Sequence, residues 1–276
     1  MSARDSGVVP VPFLEPIISV VGGDERHFLD ILAYVMIACG VMTLINQMSG
    51  VRVPYGRYAN PKFGWGVESR TAWFIQELPS FAVPVLLILL SQGQYRTAMP
   101  NLLLIGFYIL HYFQRTFIFS LLIRGGKETP LLPFILACMF CSYNGYMQGR
   151  YLTQYAVYDK DWIKDPRFIT GAVLFFTGMA INIHSDTILR NLRKPGETGY
   201  KIPCGGLFDY VSGANFLGEI LEWSGYAVAC WSLQGFAFAA FTSCVIGPRA
   251  IAHHKYYLDK FEDYPKSRKA LIPFVL

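Results

Sequence analysis

Seven apolar runs, at 28–46, 72–91, 100–123, 130–148, 168–189, 214–231 and 233–248, are separated by shorter polar stretches. Most approach the ~20 residues that a helix needs to cross a bilayer. The last two are so closely joined that a hairpin or a shortened pair is predicted there. Polar residues break into these runs with helical spacing. Asn182, Asp186, Arg190 and Arg193 fall at i, i+4, i+8 and i+11, and Asn215, Glu219 and Glu222 at i, i+4 and i+7, so each set lines one face. Beyond the last run, Arg249, His253 and Tyr257 make a third stripe. Pro195-Gly196 is expected to end the helix of the first stripe, because proline lacks the N–H and glycine tolerates the turn. A loop carrying Lys194, Tyr200, Lys201 and Gly205-Gly206 then leads to the second stripe. The pattern predicts an all-α polytopic membrane protein, a bundle of about seven transmembrane helices (28–276) behind a polar N-terminal extension (1–27).

Composition agrees. Of 276 residues, 53% are hydrophobic and 16% charged, against about 25% charged in soluble domains. The net charge of +5 comes without a basic tract or RNA-binding signature, so no nucleic-acid partner is expected. Its distribution sets the orientation. With the N-terminus outside the cytosol, 16 of the 24 Lys and Arg fall on the cytosolic side, seven on the other and Arg115 within the third run. The positive-inside rule then predicts a lumenal N-terminus and a cytosolic C-terminus. Residues 1–27 carry Asp5, Glu15, Asp24 and Glu25 and do not read as a signal peptide. Cys138 and Cys141 form a CxxC inside an apolar run, without a second ligand pair, so packing is expected there and no metal.

The polar stripes allow two readings: hydrogen bonding between helices, or a site for a polar, anionic ligand bridged by the basic loop. At the mouth of the second run stand Trp73, Gln76 and Glu77. A carboxyl there loses solvation and favours its neutral form, which can donate a hydrogen bond to a carbonyl oxygen. The third run contains Tyr112, a phenolic donor, and Arg115, whose charge near mid-membrane should face the protein interior. No GxGxxG, GxxxxGK[ST] or GxSxG occurs, so neither a Rossmann site, a P-loop nor a nucleophile elbow is signalled.

These strings resemble a known family. NIHSD (182–186), LRKPGETGYKIP (192–203), GGLFDYVSGANFLGEILEW (205–223) and FEDYPKSRKALIPF (261–274) are similar to the steroid 5α-reductases. So are YGRY (55–58), QELPS (76–80) and the HYxxR of His111, Tyr112 and Arg115. RGGK at 124–127, NGY at 144–146 and AVYDKDW with DPRF look most like the type 1 members. The resemblance implies an NADPH-dependent oxidoreductase of the endoplasmic reticulum membrane. It would reduce the Δ4 double bond of a lipophilic 3-oxo-Δ4-steroid such as testosterone or progesterone, with no obligate protein partner. It implies that Glu77 and Tyr112 polarise the C3 ketone, with Trp73, Gln76 and Arg115 beside the substrate.

The resemblance also implies that 130–276 forms most of the cofactor site. Without a Rossmann motif, the helices themselves must hold the cofactor. Arg193, Tyr200 and Lys201 suit its phosphates, Asn182 and Asp186 the adenosine edges, and Asn215 and Glu219 the nicotinamide end. Arg249, His253 and Tyr257 would close the site from the cytosol. Gln114 and Phe119 depart from the family pattern, which has His and Tyr there. The rivals are a trans-2-enoyl-CoA reductase, a membrane methyltransferase of the isoprenylcysteine type and a transporter. QELPS and HYxxR favour the steroid reading over the first. No inverted repeat supports the last.

Overall fold

The computed structural model describes residues 14–90, 93–193, 197 and 199–276. Lys194, Pro195-Gly196 and the first thirteen residues, part of the readings above, lie outside the described residues.

A short helix, α1 (Glu15–Val20), precedes the bundle. The long helices track the apolar runs: α2 (Glu25–Met48), α3 (Ser69–Leu90), α4 (Met99–Phe113), α6 (Leu131–Arg150), α7 (Pro166–Asn191), α8 (Ala214–Cys230) and α9 (Leu233–Lys260), with α4 running on through a π-helical turn, Gln114–Phe119, into α5 (Ser120–Leu122). Capping explains several boundaries. The carboxylates of Asp24 and Asp165 accept from the backbone N–H of Arg26 and Arg167, and the Ser232 hydroxyl accepts from Gly235 N. These are the side chains expected to satisfy the open N–H groups of a first turn. Strands β1 (Gly66–Val67) and β2 (Thr129–Pro130) pair antiparallel and tie the loop before α3 to the one before α6.

Five helical stretches are long and apolar enough to cross a membrane: α2, α3, Met99–Leu122, α7 and α9. The other two predicted spans form helices of a different kind. With 17 residues, α8 is short and carries Glu219 and Glu222. The C-terminal half of α6 carries Asn144, Gln148 and Arg150, all essentially inaccessible. Both spend their polar side chains on the bundle interior. The expected hairpin between α8 and α9 is present, turned by Trp231 in the left-handed region at φ 47°.

Glycine sets the closest helix pairing. Gly171 and Gly178 of α7 face Gly225 and Gly218 of α8 so tightly that a Cβ on any of the four would sit 2.3–2.5 Å from opposing backbone nitrogen. Missing side chains let the two backbones meet, as small residues do in membrane bundles. Asn182 Nδ2 donates to Asn215 O at 3.0 Å where the same two helices continue. Elsewhere α3 packs along α6 and α2 along α9. The core holds Leu29, Met36, Leu104, Tyr108, Met147, Phe175, Trp223 and Tyr226.

Helix α2 starts three residues before the predicted run, and Glu25 turns inward. Its carboxylate accepts from Arg150 Nε and Nη2, both at 2.9 Å, and from the hydroxyls of Tyr146 and Tyr155, both at 2.6 Å. That cluster fastens the start of α2 to the end of α6.

Candidate functional site

A cavity of about 430 Å³ opens among α3, α4, α6, α7, α8 and α9. Trp73 and Glu77 reach it from α3, and His111 and Tyr112 from the end of α4. Arg115 and Phe119 come from the π-helical turn, Asp186 from α7, Asn215 and Glu219 from α8, and Arg249 and His253 from α9. Nine of the residues singled out in the sequence thus converge, although they span 73 to 253. Each of the three polar stripes sends one or two of its members, from three helices, into one space.

A second cavity, about 420 Å³, adjoins the first and shares Tyr55, Trp73, Glu77, Ala137 and Phe140 with it. Its further lining is mostly apolar: Val53, Pro54, Phe63, Leu132, Pro133 and Leu136, with Gln76 at the junction. Gln76 Nε2 donates to Glu77 Oε1 at 3.2 Å, which orients the carboxyl where the two cavities meet. Both volumes lie in the ordinary range for ligand sites, roughly 300–1,000 Å³.

Arg115 is the fixed cation of the polar cavity. Nη1 donates to Asp186 Oδ2 at 2.9 Å, and Nη2 lies 3.8 Å from Glu219 Oε2. Its guanidinium lies over the Phe119 ring at 4.2 Å and near Trp73 at 5.1 Å. Phe119, a departure from the family pattern, therefore supplies an aromatic face to the arginine. The π-helical turn widens the backbone here, and such turns recur at functional sites. Gln114 is buried in the same turn.

Beside the loop before α3, Arg249 donates to Tyr55 O at 3.1 Å and lies 3.9 Å above the Tyr55 ring. His253 sits between the rings of Tyr58 and Phe216, its Nε2 buried without a partner among the described residues. Tyr257 does not line the cavity; its hydroxyl accepts from Arg57 Nη2 at 3.0 Å. Arg57 is enclosed by Tyr200, Tyr256 and Tyr257, with its carbon centre 4.2–4.7 Å from each ring, and its Nε and Nη1 are buried and unpaired among the described residues. Tyr58, in the same loop, has its phenol pushed up by burial against the pull of Arg57, Arg249 and Arg52.

Other residues named from the sequence stand apart from the cavity lining. Asn182 is buried and spends its amide on the α7–α8 junction. Arg193 is exposed just past α7, and Lys201 is exposed and paired with Glu197. Tyr200 belongs to the Arg57 cage.

Three features were not assigned to the site from the sequence. His111 Nδ1 lies 2.8 Å from Glu222 Oε1, joining α4 to α8. His111 was visible only as the letter before Tyr112, and Glu222 only as the end of a stripe. Arg57 meets Tyr257 across 200 positions, a distance that local spacing cannot reveal.

The donor set fits a nicotinamide dinucleotide. Guanidinium groups line the cavity at Arg115 and Arg249, with Arg57 next in sequence to the lining Tyr55 and Gly56, and such groups match pyrophosphate and phosphate. Asp186, Glu219 and Asn215 match ribose hydroxyls and a carboxamide. The unpaired nitrogens of Arg57 and His253 are donors or acceptors that the protein leaves unused, an unusual state for buried polar atoms.

Known proteins match most of the chain. The sequence model of the family described as 3-oxo-5-alpha-steroid 4-dehydrogenase matches residues 127–276. The chain is 55% identical to 3-oxo-5-alpha-steroid 4-dehydrogenase 1 of Bos taurus over 254 residues, covering 91% of this chain and 98% of that protein. It is 52% identical to the Homo sapiens form 1 over 256 residues, 92% of this chain and 98% of that one. Against the Homo sapiens form 2 the identity is 58% over 209 residues, 76% and 82% of the two chains.

Proposed function

The chain belongs to the 3-oxo-5-alpha-steroid 4-dehydrogenase family, oxidoreductases that act on a CH–CH group, and we propose that it reduces the Δ4 double bond of 3-oxo-Δ4-steroids with NADPH. The observation that carries this reading is the position of Glu77. It stands where an apolar cavity meets a polar one, and Tyr112 lines the polar one beside it. A rigid apolar substrate with one ketone suits that junction: the ring system in the apolar space, the C3 oxygen at Glu77 and Tyr112.

In the polar cavity, Arg115, Asp186, Asn215, Glu219, Arg249 and His253 are the residues that would hold the dinucleotide, with Asn182 keeping α7 and α8 in register. For the phosphate that marks NADPH, two groups compete: the exposed Arg193 and Lys201, and the caged Arg57. The unpaired nitrogens favour Arg57. A nicotinamide held by these residues would supply the hydride for C5.

The chain's own part is electrostatic. As C5 is reduced, negative charge grows on the C3 oxygen. Glu77 in its neutral form and the Tyr112 hydroxyl donate to that oxygen, and Gln76 keeps the carboxyl aimed. Donors already in place at a developing oxyanion act strongly where water is excluded, each worth about 10²–10³ in rate. The apolar wall of Leu132, Pro133 and Leu136 accepts a substrate that partitions into lipid.

The test is NADPH oxidation by the purified protein with a panel of 3-oxo-Δ4-steroids and enoyl-CoAs, with binding of NADPH and of S-adenosylmethionine compared beside it. Turnover with the steroids and 5α-reduced products is expected. Consumption with enoyl-CoAs alone would overturn the reading. We further propose residence in the endoplasmic reticulum membrane with a lumenal N-terminus, on the 16-to-7 basic asymmetry. A C-terminal tag resisting protease in sealed microsomes would refute that orientation.

A further inference from the structure

His111 and Glu222 form a closed pair in the wall of the polar cavity. Glu222 is fully buried; one oxygen meets His111 Nδ1 at 2.8 Å, and the other, Oε2, has no partner among the described residues. The imidazole lies between Tyr112 and Trp223, with ring centres 5.0 and 4.5 Å away. With Nδ1 taken by Glu222, Nε2 is the ring nitrogen left for the cavity that His111 lines. The ionisable side chains lining the cavity beside the pair are Glu77 on α3, Arg115 on the π-helical turn, Lys127 before β2, Asp186 on α7, Glu219 on α8 and Arg249 on α9, three carboxyls and three cations. A buried carboxylate is costly unless partnered, and His111 is the hydrogen-bond partner that Glu222 has among the described residues.

We propose that His111, held by Glu222, is the proton donor of the reduction, delivering the proton that C4 receives. This rests on the reading of the site as one that reduces a 3-oxo-Δ4-steroid with a nicotinamide hydride donor. Hydride addition at C5 moves the C4=C5 π pair between C3 and C4 and leaves the C3 oxygen negative. That pair forms the new C4–H bond with the proton from Nε2, the C3=O bond is restored, and the N–H electron pair stays on the ring. Solvent reaching the cavity then returns a proton to the imidazole. Glu77 and Tyr112 face the oxygen, so a proton given there would make an enol that still lacks its proton on C4. C4 is two bonds from the oxygen that Tyr112 holds, and His111 is the titratable ring packed against Tyr112.

The experiment compares wild type, His111→Gln, His111→Ala and Glu222→Gln as purified full chains in detergent micelles. Single-turnover steroid reduction is followed in H2O and D2O, beside separate titrations of steroid and NADPH binding. His111→Gln should slow reduction by about 10²-fold, the usual scale of a lost general acid. It should also raise the solvent deuterium effect above the wild-type value while both affinities stay within about twofold of wild type. Imidazole in the buffer should restore part of the rate to His111→Ala and none to wild type. A wild-type rate and isotope effect in His111→Gln would overturn the assignment, as would loss of binding in step with rate. Should the His111 variants not fold, Glu222→Gln decides: it keeps an acceptor for Nδ1 but removes the charge that supports imidazolium. It should slow reduction at least about tenfold with the same isotope signature, and wild-type behaviour refutes the proposal. A wild type that reduces no steroid overturns the reaction itself, an outcome distinct from all of these.

Discussion

Gly178→Ala adds one methyl group at the tightest point of the α7–α8 contact. The new Cβ would sit 2.3 Å from Glu222 N, 2.5 Å from Gly218 O and 2.7 Å from Glu222 Cα. All three neighbours are backbone, so no side-chain rotation can relieve them. Ordinary contact begins at 3.4 Å, and the helices must therefore part locally by about 1 Å. Overpacking of a filled core costs about 1–3 kcal/mol, and a backbone neighbour places this case at the upper end. In a domain of this size each kcal/mol lowers Tm by about 2–4 °C. The same displacement carries Glu222 away from His111 and disturbs the 3.0 Å bond between Asn182 and Asn215. Misplacing catalytic groups by about 1 Å commonly costs around 10²-fold in rate. Gly106→Ala is the control: nothing lies within 4 Å of its added Cβ, and Ala is favoured over Gly inside a helix by roughly 0.5–1 kcal/mol. Thermal melts in detergent, followed by tryptophan fluorescence, and steroid turnover measure both effects. Gly178→Ala should melt several degrees low and turn over about 10²-fold more slowly, whereas Gly106→Ala should match or exceed wild type. Equal melting and turnover in the two variants would show that the glycine contact does not set the site.

Glu77→Gln and Tyr112→Phe should each lower single-turnover steroid reduction by about 10²–10³ with NADPH binding intact; the double variant should fall well short of the product of the two losses, because both donors serve one oxygen, and near-wild-type turnover in either single variant removes that residue from the mechanism. For the cofactor, NADPH should be preferred over NADH, and Arg57→Ala should raise the apparent KM for NADPH at least about tenfold, the scale of one lost charge-assisted contact, with the steroid KM little changed; an unchanged value there, with a rise in Arg193→Ala or Lys201→Ala, moves the phosphate to the exposed loop. Outside the bundle, the Asp165 carboxyl is held down at about 2 by hydrogen bonds from the Arg167 side chain and then its backbone. Its folded value lies below its ordinary one, so its contribution is full above about pH 4 and is lost as pH falls toward 2; the melting temperature of wild type should drop over that window more than that of Asp165→Asn, and parallel curves would deny the cap its role.

Most helices were legible because burial in lipid and burial in protein leave the same mark, an apolar run of about 20 residues. The polar stripes were legible for the opposite reason. Residues such as Asp186, Glu219 and Arg249 recur at helical spacing on otherwise apolar helices, so their common direction follows from the period. That is also why α9 continues to Lys260 although its apolar run stops near 248: Arg249 and Tyr257 still face inward. What the sequence hid are contacts that carry no period. The α7–α8 glycines are spaced by seven on each helix, but nothing local says which helix they face. Arg57 looked like one more basic loop residue, because its cage is built from Tyr200, Tyr256 and Tyr257 far down the chain. Glu25 lies in a stretch that reads as polar and extramembranous, and only the fold brings Arg150 to it. The π-helical turn at Gln114–Phe119 has no composition of its own, and the contacts of its Arg115 with Asp186 and Phe119 appear only in the fold.

Two arginines inside the bundle show how the same costly charge can serve two ends. Arg150 is 1% exposed and faces a Glu25 carboxylate that also receives two tyrosine hydroxyls. That carboxylate accepts four bonds, its usual capacity, so the cluster is closed and offers nothing to a ligand. Its energetic role is conditional, since removing one partner of a buried pair strands the other at about 3–5 kcal/mol. Arg115 is also buried, at 7% exposed, yet it lines a cavity and meets two carboxylates unequally, one at 2.9 Å and one at 3.8 Å. Glu219 is thus left with bonding capacity toward the cavity, as are Asn215 and Arg249. A closed cluster holds α2 to α6 at one end of the bundle; an open one at the other end faces the space where α3, α4, α6, α7, α8 and α9 converge. The difference lies in unspent hydrogen-bond capacity rather than in burial, and it is the reason the second cluster, not the first, is read as the site of chemistry.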